Sequence, residues 1–192
     1  MANLFAFVKK YWYVVLPLPL IILYFIVRKL LTGQNVNTVT NTKTTITMPS
    51  TNSVLDISLS DANNPMNLRV SSDNWQGKIG IVRTSKSGEF LAFDTLLHGL
   101  RAGIVTLHTY YFKHGRKSLN SIIHAFAPSS ENDTNGYVNT VSKKTGFQPN
   151  ETLDFNRSTY DKIIVAMCQQ ERGFTPTTNQ LNDAWETVNF KL

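Results

Sequence analysis

KIGIVRTSKSGEFLAFDTLLHGLRAGIVTLHTYYFKHG, residues 78–115, changes its period halfway along. In the first half, KIGIVRT and EFLAF are short alternating runs rich in β-branched and aromatic residues. Ser-Lys-Ser-Gly between them reads as a hairpin turn containing Gly88. From Asp94 the apolar spacing becomes helical, with Asp94 as the expected N-cap and Gly115 as the stop. Leu97, Leu100, Ile104, Leu107 and Tyr111 form the core stripe of that helix. Gly99 and Gly103, four apart, would let another element approach closely. A hairpin followed directly by a long helix, with more helices after it, places the chain in the α+β class.

Working outward, NPMNLRV (residues 64–70) supplies a third strand or an extended entry to the hairpin. On the other side, Ser118 caps LNSIIHAFA, which Pro128 ends. A third helix is capped around Asn132 or Asp133 and stopped by Gly146. A fourth spans about Ser158 to Arg172 and stops at Gly173, and Asp183 to Val188 adds a short last turn. No internal repeat is visible.

The N-terminal third has a different composition. YWYVVLPLPLIILYFIV, residues 11–27, is uncharged and almost wholly apolar, with Lys9-Lys10 before it and Arg28-Lys29 after it. With Leu30 and Leu31 it approaches the ~20 residues that cross a bilayer. Trp12 and the nearby tyrosines suit its interfaces. The expectation is a single N-terminal transmembrane helix, about 11–31, in an anchor of residues 1–31. A cleaved signal peptide is the rival, opposed by the length of the run and by the two cations where a small-residue cleavage site belongs. Equal charge on both flanks leaves orientation undecided. Residues 32–54, dominated by Thr, Asn and Ser, read as a flexible stalk. Residues 55–192 are the globular domain.

The 192 residues allow one ordinary domain plus an appendage, and 42% hydrophobic content supports a real core. The net charge of +6 suits an anionic partner: nucleic acid, anionic lipid or an acidic wall polymer. The cations are scattered, which disfavours a nucleic-acid arm. One cysteine, Cys168, excludes an intramolecular disulfide and a cysteine-based zinc site and reads as a reduced structural thiol. The four histidines make no zinc spacing, and no phosphate-binding or nucleophile-elbow motif occurs. No metal and no cofactor are expected.

In IIVAMCQQERGF, residues 163–174, an apolar stripe of Tyr160, Ile164 and Met167 continues to Glu171. Burial and the negative end of the helix dipole both favour a neutral carboxyl there, the state a general acid needs. An exposed Glu in a fraying last turn, paired with Arg172, explains the same spacing. Glu131, in PSSENDT, is a second candidate carboxylate or simply a complement to a helix N-terminus. Asn64, Asn67, Arg69, Trp75 and Gln76 suit a sugar cleft, with Trp75 stacking on a ring, or else a loop whose amides satisfy its own backbone.

The order NPMNLR, DNWQG, FLAFDTLLHGLRAG, LNSIIHAFAPSSENDTNGYVNTV, IIVAMCQQERG resembles a phage virion-protein family known as structural proteins. RAG and APSSENDTNGY are its most specific segments. Leu68 replaces the usual Ile and Phe126 the usual Trp. The same order is similar, more distantly, to flagellar-type glucosaminidases with the Glu-bearing helix moved from first to last, a circular permutation of a lysozyme-like fold.

These resemblances imply a lysozyme-like domain that cleaves peptidoglycan by hydrolysis or transglycosylation. Glu171 and Glu131 would be catalytic, and Asn67, Arg69, Trp75 and Tyr137 would bind substrate, Glu131 and Tyr137 lying across the cleft. The implied setting is a virion internal membrane, with peptidoglycan, the lipid bilayer and capsid proteins as partners and no specific nucleic acid. Local wall opening at genome entry is the implied purpose. The alternatives are a non-catalytic virion component that links membrane to capsid or binds glycan, and a basic membrane protein on the packaged genome.

Overall fold

The hairpin forms where the alternation puts it. The computed structural model describes residues 52–85, 87–130 and 132–190, all within the unit Thr47–Leu192. Strands β1 (Lys78–Thr84) and β2 (Gly88–Phe93) pair antiparallel, Ile81 opposite Leu91 and Val82 opposite Phe90. Gly88 takes φ +88°, a conformation open to a residue without Cβ. Neither edge of this sheet is bare. Val54 bridges to Ile81 on one side and Arg69 to Phe90 on the other. NPMNLRV is therefore an extended entry one bridge long, and Lys78 Nζ reaches the Asn52 side-chain oxygen at 2.8 Å.

Five α-helices follow. α1 (Leu96–Phe112) starts one residue later than Asp94 predicts. Thr95 is the N-cap, accepting from the His98 N–H, while Asp94 turns to the His98 ring Nδ1 at 2.5 Å. α2 (Leu119–Phe126) has a reciprocal cap between Ser118 and Ser121. α3 (Thr134–Thr145) runs from Asp133 to Gly146 at φ +81°, and α4 (Arg157–Arg172) from Asn156 to Gly173 at φ +61°. Both left-handed glycines are the stops that the sequence signals. α5 (Thr178–Glu186) is longer than the single turn expected at 183–188, because a capping box between Thr177 and Gln180 starts the helix five residues earlier.

One core joins these elements. Leu91 and Phe93 of β2 meet Leu100, Ile104 and Leu107 of α1 and Tyr160, Ile164 and Met167 of α4. α3 lies along α4, α1 along α5, and α2 along α3. Tyr160 is 1% exposed, and its hydroxyl has no hydrogen-bond partner. A buried hydroxyl without a partner costs stability. Tyr160→Phe should therefore leave the melting temperature unchanged or raise it; a marked fall would mean that the hydroxyl is bonded after all.

The predicted architecture needs one correction. No helix among the described residues is long and apolar enough to cross a membrane, α1 being the longest at 17 residues. The expected transmembrane run at 11–31 lies outside the described residues, as do the rest of the anchor and the stalk to Thr51. The fold class is α+β, with a two-stranded sheet and five α-helices among the described residues. The Glu-bearing helix is the fourth of the five, with α5 after it.

Candidate functional site

Glu171 sits in the last turn of α4, half-buried, where the apolar stripe of that helix runs out. What holds it comes from the loop before the sheet, 104 residues away in sequence. Asn67 Nδ2 donates to Glu171 Oε2 at 3.0 Å and to the Glu171 backbone carbonyl at 3.2 Å. Arg172 donates to the Asn67 side-chain oxygen at 3.4 Å and also to the Leu59 carbonyl. The Arg172 side chain thus braces the loop rather than the neighbouring carboxyl.

That loop is itself stapled. Asn64, 3% exposed, accepts from Leu68 N at 2.8 Å and donates to the carbonyls of Leu68 and Leu91, both at 2.9 Å. Its amide is fully occupied with backbone, so Asn64 shapes the loop instead of lining a sugar cleft. The staple lets Asn67 adopt φ +49°, an uncommon conformation that asparagine tolerates better than most residues. The loop rests on α1 at Gly99, whose α-carbon faces the Asn63 carbonyl, and at Gly103, which faces the Met66 sulfur.

Burial pushes the Glu171 carboxyl above its ordinary 4.5. The Asn67 amide, the Tyr137 hydroxyl and the charges of Arg69 and Arg172 pull the other way without cancelling the burial. Burial also pushes the Cys168 thiol, one turn earlier, up to about 12, with help from the nearby Glu171 charge. Cys168 is fully buried and remains a thiol, unsuited to nucleophilic chemistry.

Beside Glu171 opens a cleft of about 910 Å³. Asn67, Arg69 and Trp75 line it. Trp75 is half-buried and its indole N–H donates to Ser71 Oγ at 2.9 Å, which fixes the ring plane. The Arg69 guanidinium lies 5.3 Å from the Phe90 ring centre and donates to the Ser87 carbonyl at 2.8 Å. Gln76 is exposed outside this lining.

Tyr137 has a different place from the one expected. It is 7% exposed and belongs to the core, with its hydroxyl beside the Glu171 carboxyl. It stands close enough to Glu171 for each to shift the other's titration, and burial with the Glu171 charge drives the phenol far upward. Tyr137 thus stands against the carboxyl from the core side. Tyr137→Phe removes a group that favours the carboxylate, so the Glu171 pKa should rise further. Any activity that needs the protonated acid should then persist to higher pH. A pH–rate profile checks the shift, and an unmoved alkaline limb with unchanged folding would show the phenol to be mere packing. Glu131 lies outside the described residues.

Sequence reasoning passed over Asp73, Arg101, Tyr110 and Lys113, which also line the cleft. The signal was available for two of them: Tyr110 and Lys113 fall at helical spacing with Thr106 and Thr109 on α1. Of the histidines, His98 bonds Asp94, His124 is exposed, and His108 stacks on Phe190 at 3.8 Å. Burial lowers the His108 pKa. Among the described residues no three His, Cys, Asp or Glu side chains are grouped to hold a metal ion.

No family model matches the chain. Protein P5 of Pseudoalteromonas phage PM2 is 40% identical over 119 residues, which is 60% of this chain and 71% of that protein. At that identity and coverage the two share a fold and an ancestor, and the chain belongs to the family of this phage protein.

Proposed function

We propose that this is a phage virion protein whose domain cleaves the glycan of bacterial peptidoglycan, with Glu171 as the general acid. The observation that carries the reading is a half-buried carboxyl with a raised pKa, clamped by Asn67 at the wall of a large cleft. A raised pKa favours the protonated carboxyl, whose proton is delivered to the glycosidic oxygen as the bond to the anomeric carbon breaks. The resulting carboxylate is met by Asn67 Nδ2 and by the nearby Tyr137 hydroxyl, so the charge left behind is stabilised. Trp75 offers a flat face to a sugar ring. The oxocarbenium-like centre is then closed by water, giving hydrolysis, or by a hydroxyl of the same sugar, giving a transglycosylase product.

A second reading draws on the same contacts. Asn67, Glu171, Arg172 and Leu59 form a tie between the loop and α4, and a tie alone serves a virion component that binds glycan without cutting it. Digestion of isolated cell walls by the chain and by its Glu171→Gln variant separates the two. Cleavage by the first alone supports the enzyme. Binding to walls by both, with cleavage by neither, supports the non-catalytic component.

A further inference from the structure

The cleft holds more positive charge than a neutral sugar requires. Arg69, Arg101 and Lys113 line it, with His114 beside Lys113. Asp73 and Glu171 are the acidic residues among its described lining, and Glu171 is held toward its neutral form. The charge is also spread along the cleft. Met66 packs on Gly103 beside Asn67, so the Glu171 end lies against the middle of α1. Lys113 caps the C-terminus of the same helix. At 1.5 Å per residue the two points stand about 15 Å apart, room for more than one sugar ring.

Between them, α1 presents Thr106, Thr109 and Tyr110, which suit hydroxyls. At the far end stands an exposed ammonium with no acidic partner among the described residues. A ligand that satisfies this pattern is polymeric, hydroxyl-rich and carboxylate-bearing.

We infer that the cleft selects glycan strands whose sugars carry carboxylates, as muramic acid does through its peptide stems, and that Lys113 receives one of those carboxylates. The inference rests on the peptidoglycan reading and sharpens it, because neutral chitin-type chains would lack the contact.

The test uses the full-length Glu171→Gln chain, which binds without cutting, in calorimetric titrations with two probes. One is a muramic-acid tetrasaccharide carrying its peptide stems; the other is chitotetraose. The muramic probe should bind roughly fivefold more tightly, the size of one exposed ion pair. Lys113→Gln in the same background should remove that preference, and so should added salt. Equal affinity for the two probes overturns the inference and leaves glycan recognition standing. A preference that survives Lys113→Gln overturns the role of Lys113. Binding of neither probe overturns the inference together with the peptidoglycan reading, and tight binding of a short DNA duplex instead would point to a nucleic-acid partner.

Discussion

Glu171→Gln is expected to lower the rate of glycan cleavage by about 10²–10⁴-fold, the usual worth of a positioned general acid. The glutamine keeps an oxygen to accept from Asn67 Nδ2 but carries no proton that a leaving oxygen can take. Folding should not suffer. The folded pKa of Glu171 lies above the ordinary 4.5, so the folded state holds this proton more tightly than the unfolded one. Ionisation of Glu171 therefore costs stability as pH rises past 4.5, and the full cost is reached above the folded pKa. At pH 7 the variant should melt at the same temperature as the natural chain or higher, and the gap should close as pH falls toward 4. Activity of the natural chain should decline as pH rises through the same folded pKa. A variant that loses activity together with stability would indicate a structural tie instead.

Gly99→Ala should be the most damaging small substitution. A Cβ at this position would fall far inside the van der Waals contact distance of the Asn63 carbonyl oxygen and press on Pro65 Cδ at 2.9 Å. Both belong to the stapled loop, in which Asn63 and Asn67 already hold positive φ. The loop cannot back away without breaking the Asn64 bonds to Leu68 and Leu91. Overpacking against backbone of this kind costs about 3 kcal/mol or more, which in a domain of this size lowers the melting temperature by roughly 10 °C. Asn67 would be displaced from Glu171 at the same time, so cleavage should fall as well. Gly103→Ala meets only the Met66 side chain, which can swing aside, and should be milder. A Gly99→Ala chain with natural stability would show that the loop does not rest on α1 as described.

Local signals carried most of the fold. The switch from alternation to helical spacing near Asp94, the αL glycines at Gly146 and Gly173, and the Ser118 cap each act within a few residues, so they can be read in one dimension. Where competing local signals stood side by side, the choice went astray. Asp94 and Thr95 are both good caps, and the hydrogen bond of Asp94 to the His98 ring left Thr95 to cap α1. The capping box at Thr177 was equally local and was overlooked. The stripe of Tyr160, Ile164 and Met167 continues to the half-buried Glu171 as read, because a helix face is a property of spacing alone.

The site was less legible for a different reason. The Asn67–Glu171 contact joins residues 104 apart, and nothing in either segment names the other. Asn64 and Asn67 look alike in NPMNLR, yet one is consumed by backbone and the other meets the acid. Tyr137 sits on α3, and only the packing of α3 along α4 turns it into the core beside Glu171.

The most direct test of the account is mass spectrometry of the fragments that the full-length chain releases from purified bacterial peptidoglycan. The expected result is a series of muropeptides cut at glycosidic bonds, with either new reducing ends or anhydro ends, and none of them formed by Glu171→Gln. A folded, wall-bound chain that releases no glycan fragments from the walls of its own host would contradict it.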